Sequence, residues 1–233
     1  MSGSDDTTSD SAAPRLGLRE RKANETRRRL LAATLDLMAR EGPDGVIISV
    51  VAERSDVSVG TFYNYFPSRE AIIETVIDLE VGTMGRRLDA LAAGISDPAD
   101  EYSAALRHII RTAIIDPVWG WFIVRLGVEH DQIVQIIGER LTQAIGRGAA
   151  SGRFLVVDVR TAGAMTLGAL LAALRVFLES ARPPGEAATS FVENQLRALG
   201  IGAEEATRIA NKPLPELPVL ADQGALSITR IPL

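Results

Sequence analysis

From position 24 onward, apolar residues recur every three or four positions, the spacing that gives a helix one buried face. Leu31, Leu35 and Met38 open the pattern, with Leu30, Thr34 and Leu37 beside them. They predict a helix over 24–40 with Asn24 as its cap. The stretch GPDG at 42–45 stops it. A short helix follows over 49–55, with Val51 and Ala52 facing inward, then a tight turn at Asp56 and Val57. Ser58 caps a helix over 59–66 that Pro67 closes, because a residue before proline disfavours helical backbone. Ser68 caps the next helix, whose buried stripe is Ile72, Val76 and Leu79 and whose pattern weakens over 82–85.

The remainder reads as helices over 100–115, 118–128, 131–145, 159–180, 186–199 and 203–210, broken by Pro and Gly clusters. There is no series of alternating strands and no repeat of 20–50 residues. The expected fold is all-α, with a three-helix N-terminal domain followed by a larger helical one. The expected divisions are a disordered acidic and then basic arm at 1–23, a DNA-binding domain at 24–84, a second domain at 85–210 and a Pro-rich tail at 211–233.

Charge changes this picture locally. The 233-residue chain carries −5 overall, so its surface as a whole repels nucleic acid and anionic membranes. Yet Arg15, Arg19, Arg21, Lys22, Arg27, Arg28 and Arg29 face only Glu20 and Glu25, a local +5 suited either to a solvated helix start or to phosphates. The absence of cysteine excludes disulfides and thiolate zinc sites. The acidic first residues do not read as a signal peptide, and the apolar stretch 162–174 falls short of the ~20 residues a membrane span needs. A cytoplasmic protein without membrane association is expected.

The segment SVGTFYNYFPSREAI, residues 58–72, holds most of the candidate chemistry. Phe62 and Phe66, four residues apart, form a buried face with Val59. Ser58, Gly60, Thr61, Tyr63, Asn64 and Tyr65 are left to the other side. Hydroxyl, phenol and amide groups of that kind suit base edges and phosphate oxygens. With the preceding short helix they form a helix-turn-helix over about 47–66, whose second helix would enter the major groove.

The stretches NETRRRLLAATLDLMAREG and VIISVVAERSDVSVGTFYNYFPSREAII, with their internal spacing, resemble the DNA-binding domain of TetR-type (tetracycline-repressor-like) transcriptional regulators. The resemblance implies an all-α homodimer that binds operator DNA and responds to a small-molecule effector. It implies that Thr61 and Tyr63 contact bases or backbone, that Tyr65, Arg69, Thr26 and Arg27 contact phosphates, and that Gly60 lies where backbone approaches DNA. Three positions depart from the pattern. Asp56 stands where glycine is usual, Ile47 where a Thr cap is usual, and Val59 where a basic residue is common.

The C-terminal half offers less. VWGWFIVR at 118–125 brings Trp119, Trp121 and Phe122 together as core or as the aromatic wall of an effector pocket, with His108, Arg111, Arg125 and His130 as polar groups and Met165 and Phe177 as further lining. Ala164, Gly168 and Ala172 form a stripe of small residues with Ala169 and Ala173 beside it. With Phe191, Val192, Leu196 and Leu199 they suit a four-helix dimer interface or packing within one chain. An enzyme is not expected: GxSxG, HExxH and Walker patterns are absent, and GRGAASG at 146–152 reads as a turn because no strand precedes it. No cofactor or metal is expected. The alternative to a ligand-responsive repressor is a ligand-independent DNA-binding or scaffolding protein of the same fold.

Overall fold

A computed structural model describes residues 17–129, 131–180 and 183–219, so positions 1–16 of the expected disordered arm and the end of the tail lie outside the described residues, while 18–23 of that arm are helical. Among the described residues there is no strand. The elements are α1 (Leu18–Glu41), α2 (Ile48–Arg54), α3 (Val59–Tyr63), α4 (Arg69–Ala92), α5 (Pro98–Ile115), α6 (Pro117–Glu129), α7 (Asp131–Ala150), α8 (Val159–Glu179), α9 (Pro184–Ala198) and α10 (Ala203–Ala210), with a 3-10 turn at Pro43–Gly45.

Helix α1 starts six residues before the expected Asn24. The Gly17 amide donates to Glu20 Oε2 at 2.8 Å, and that carboxylate in the first turn also suits the helix dipole. Two aromatic side chains seat α3 and its neighbours: Phe62 and Phe66 are buried in one continuous cluster with Leu30, Leu31, Leu35, Val51 and Ile72. Burying each such side chain stabilises by about 1.5–3 kcal/mol. The turn before α3 uses Asp56 at φ 53°, a left-handed conformation that Asp tolerates at low cost. The helical bonding of α3 ends at Tyr63, three residues before the expected end, and 64–66 continue as turns.

Helix α4 does not weaken at its glycines. It runs unbroken from Arg69 to Ala92, so the expected boundary after 84 falls inside a single helix. The two parts of the chain share it, and they also share one core. Helix α6 packs along α1, and Arg125 Nε donates to the Ala39 carbonyl of α1 at 2.8 Å. Helix α5 runs through the centre of the C-terminal bundle, against α6, α7, α8, α9 and α10. Its N-terminus is fixed by Arg153, which donates to both Asp97 oxygens at 2.8 and 3.0 Å and to Glu205 of α10 at 2.9 Å. That guanidinium holds the Asp97 carboxyl below its ordinary range. Helix α7 continues to Ala150, through the first part of GRGAASG, and the chain then turns at 151–152.

By length and composition α8 could cross a membrane, but Gly163, Thr166, Leu167, Leu170, Leu171, Leu174 and Phe177 on it are buried in the bundle.

The Pro-rich tail is not loose where it is described. Residues 211–219 run as an extended strap over α5 and α4. Lys212 Nζ binds both Asp100 oxygens at 2.6 and 2.7 Å, Arg107 donates to the Lys212 carbonyl at 2.7 Å, and Arg87 of α4 donates to the Pro218 and Leu217 carbonyls at 2.8 and 3.3 Å. His108 Nε2 lies 3.0 Å from the Pro215 carbonyl. Burial, then the neighbouring Arg111, Arg107 and Arg87 charges, push the His108 pKa down to about 4, against the raising effect of that carbonyl. A neutral His108 therefore belongs to the folded state. Below its ordinary value of 6.5 the unfolded chain takes up a proton that the folded chain refuses.

Deleting 211–233 is expected to cost about 1–2 kcal/mol, a fall of about 2–6 °C in Tm by calorimetry. Stability is expected to fall as pH drops from 6.5 towards 4, and His108→Gln, which keeps a nitrogen donor, is expected to flatten that segment of the Tm-versus-pH curve.

Candidate nucleic-acid interface and buried cavity

The exposed end of the N-terminal domain is built by α3 and the start of α1. Ser58 Oγ accepts from the Thr61 amide at 3.0 Å and shares a hydrogen bond with Thr61 Oγ1 at 2.9 Å, which starts the short helix at a defined angle. Phe62 faces the core, so Val59, Gly60, Tyr63 and Asn64 face outward. Tyr63 is 51% exposed, and its ring meets the edge of Phe62 at 5.5 Å, which orients the phenol without covering it. Gly60 has helical backbone with no positive φ, and a Cβ there would meet only Ser58 Oγ at 3.8 Å. Nothing inside the protein requires glycine at that position.

Arg27 and Thr26 stand on the adjacent turn of α1. The Arg27 guanidinium lies over the Phe66 ring at 5.3 Å, while Thr26 is half-buried with Arg29 near its hydroxyl at 3.5 Å. Arg19, Arg21, Lys22, Arg28 and Arg29 are all exposed along the same helix, with Glu25 beside Arg28 at 3.5 Å. Six cations among the described residues thus line the first turns of α1, one of them over Phe66 just after α3.

Two expected contacts are placed differently. Arg69 does not present its guanidinium outward: Nε donates to the Val46 carbonyl at 2.8 Å and Nη2 to Pro43 at 2.6 Å, with Asp44 3.5 Å away. Those carbonyls close the 3-10 turn, and the fork of Arg69 pins the start of α4 to it. Tyr65 is half-buried and packs against the core rather than standing free.

In the second half, a cavity of about 120 Å³ lies between α4, α5, α6 and α7. Val81, Met84, Leu88 and Leu91 of α4, Ile109 of α5, Trp119 and Ile123 of α6 and Ile137 and Leu141 of α7 make its apolar wall. Two ion pairs border it. Arg140 of α7 donates to both oxygens of Asp89 on α4, at 3.4 and 2.8 Å, and Arg147 pairs with Glu101 of α5. Tyr102 is also in the wall, but its phenol is 3.0 Å from Thr166 Oγ1 and burial pushes its pKa up. Gly85 lets α7 approach: a Cβ there would stand 2.6 Å from Arg140 Cζ.

Of the nine pocket residues expected from sequence, eight have described side chains, and of those Trp119 alone lines this cavity. Successive helical positions point about 100° apart, so neighbours in VWGWFIVR cannot share a wall. Phe122 is fully buried in the core, and Trp121 turns to the other side of α6, where Arg125 stacks on it at 5.6 Å and reaches α1. His108 and Arg111 flank the C-terminal strap, Phe177 is buried in the bundle, and Met165 is 66% exposed on the outer face of α8. The His130 side chain lies outside the described residues. Sequence reading missed Asp89 and Arg140 because 51 positions separate them; the signal that was there is the apolar stripe of α4 continuing through Met84, Leu88 and Leu91.

The expected dimer stripe also divides. Ala164, Gly168 and Ala172 are exposed on α8, together with Met165 and Val176. Phe191 and Leu196 are buried within the chain, because α9 turns its apolar face to α5 and α10.

The described residues thus combine a helix-turn-helix with a basic first helix and, joined to it by one continuous helix, a bundle that holds a cavity. Residues 30–76 match the model of the bacterial regulatory proteins of the tetR family, and residues 97–212 match the tetracyclin repressor-like C-terminal domain. The chain belongs to this family. It is similar to the HTH-type transcriptional repressor KstR of Mycobacterium tuberculosis, 26% identical over 132 residues that cover 53% of this chain and 60% of that protein. KstR of Rhodococcus jostii is 34% identical over 46% of this chain and 51% of its own length. The chain thus spans half to three fifths of these curated relatives. Among solved structures, RolR in complex with resorcinol is 34% identical, with a TM-score of 0.66, over 86% of this chain and all of that one. FadR of Bacillus subtilis with stearoyl-CoA shares the fold at 16% identity and a TM-score of 0.64, over 72% of this chain and 96% of that one.

The placement of Arg69 separates two roles. Arg69→Ala is expected to destabilise the fold by about 1.5–3 kcal/mol, seen as a lower Tm, and Arg69→Lys to restore little because an ammonium cannot reach both carbonyls. An Arg69→Ala protein of unchanged Tm would contradict this assignment.

Proposed function

We propose that this protein is a homodimeric, cytoplasmic transcriptional repressor, bound to operator DNA through α3 and the basic start of α1 and released by a small aromatic effector in the α4–α7 cavity. The observation that carries this reading is α4 itself. Its first turn holds the helix-turn-helix through Arg69, and its last three turns form a wall of the cavity. A ligand that displaces the wall displaces the reading head. Helix α6 supports the same coupling, with Trp119 and Ile123 on the cavity and Arg125 bonded to α1.

Cavity size discriminates among ligands. An apolar cavity of about 150 Å³ holds benzene, so one of about 120 Å³ suits a single ring and not a long acyl chain. The similarity to RolR, crystallised with resorcinol, supports a hydroxylated ring, and the Asp89–Arg140 and Glu101–Arg147 pairs make the polar border of the cavity. The presence of the cavity weighs against the ligand-independent alternative. For the dimer, the exposed stripe Ala164, Met165, Gly168, Ala172 and Val176 of α8 is the surface offered to a second copy.

The test is to select operator DNA from a random pool with the purified protein, then titrate it by mobility shift with and without simple phenols. Release by a single-ring phenol and not by stearoyl-CoA is expected; release by the acyl thioester alone contradicts the size argument. Tyr63→Ala and Thr61→Ala are expected to weaken operator binding by about 10-fold or more with Tm unchanged. Gly60→Ala separates DNA contact from fold. Alanine favours helix over glycine by up to about 1 kcal/mol, so Tm is expected to hold or rise while operator affinity drops. Full operator affinity in Gly60→Ala would show that no DNA backbone approaches there.

A further inference from the structure

The outward side of α3 carries an aliphatic side chain that the protein itself does not use. Val59 is 42% exposed and takes no part in the apolar cluster that holds Phe62 and Phe66. Valine is a modest helix former, yet its isopropyl group stands in water one residue after the Ser58 cap. Tyr63, four residues on, lies on the same side of the helix and is also exposed. Ile47 is the other exposed aliphatic residue of the helix-turn-helix, and it stands before α2. In a helix-turn-helix it is the second helix, here α3, that lies in the major groove with its early residues at the base edges.

The surroundings of Val59 limit what it can meet. Residues 58–66 carry no charge, and Asp56 stands exposed and acidic in the turn before them. Attraction to phosphates therefore comes from the cations of α1, while α3 offers neutral groups. A lysine or arginine at this position could bond a phosphate or a guanine; valine can bond neither. The apolar feature of a base edge in the major groove is the C5 methyl of thymine. Gly60 supplies the reach. A Cβ there would meet only Ser58 Oγ at 3.8 Å, and no side chain on that residue holds the α3 backbone away from the groove, so a short neighbour can touch a base.

Resting on the operator-binding reading above, we infer that Val59 is a specificity-determining residue that reads the C5 methyl of a thymine in each operator half-site. The contact is burial of two apolar surfaces against each other. It is therefore local to one base pair and indifferent to salt, unlike the phosphate contacts of α1.

The experiment uses the full chain and an operator selected from a random DNA pool, with fluorescence anisotropy as readout. Each thymine of one half-site is replaced in turn by deoxyuridine, which removes the methyl and nothing else. At one position the intact protein is expected to lose affinity about 4-fold, by the same factor at low and high salt. Val59→Ala is expected to bind the thymine and deoxyuridine operators equally at that position. Its Tm is expected to hold, because Val59 lies outside the core. A scan in which no deoxyuridine weakens binding overturns the inference with the intact protein alone. A loss that Val59→Ala retains in full overturns it too, since another side chain would then touch the methyl. In both cases operator binding itself stands. Failure of the random pool to yield any preferred DNA overturns the operator-binding reading as well.

Discussion

One continuous helix constrains everything else in this molecule. Helix α4 spans Arg69 to Ala92 without a break, and its two ends belong to different jobs. At the first turn, the Arg69 fork grips the carbonyls of Pro43 and Val46 and so fixes the helix-turn-helix to the helix axis. At the far end, Met84, Leu88 and Leu91 face the cavity and Asp89 is clamped by Arg140 of α7. A helix of 24 residues is about 36 Å long, so a small tilt at the cavity becomes a displacement of several ångströms at α3.

The energies involved are modest enough for such a device. A hundredfold change in operator affinity corresponds to about 2.7 kcal/mol of coupling, the scale of one or two charge-assisted hydrogen bonds. Arg140 to Asp89, Arg125 to Ala39 and Arg87 to the C-terminal strap are bonds of that kind, and each joins a helix that touches the cavity to another element. The strap belongs in this ledger because it holds α4 to α5 from outside the bundle.

The sequence was most legible where structure is local. The caps at Ser58 and Ser68 and the i, i+4 pair Phe62 and Phe66 depend on neighbours a few residues away, and they place the starts of α3 and α4 as expected, although α3 ends at Tyr63 and not at Phe66. Asp56, a departure in sequence, proved conformationally apt at φ 53°. What was misread depends on tertiary packing. Glycines at 82 and 85 lower helix propensity, yet Gly85 is where Arg140 lies across α4, so packing overrides propensity. The aromatic cluster of α6 looked like one wall, but Trp119 and Trp121 lie on opposite sides of the helix. The apolar stripe of α9 turned to α5, which leaves α8 to carry the exposed small residues.

The central claim is that occupancy of the cavity changes the setting of the two recognition helices in the proposed dimer. The chain has no cysteine, so Glu53→Cys on the exposed side of α2 gives one spin label per copy. The direct measurement is the label-to-label distance by pulsed electron resonance, with and without a saturating phenolic ring. A clear shift of the distance distribution on ligand binding is the expected result. An unchanged distribution in a protein that binds the ring and releases its operator would contradict the account.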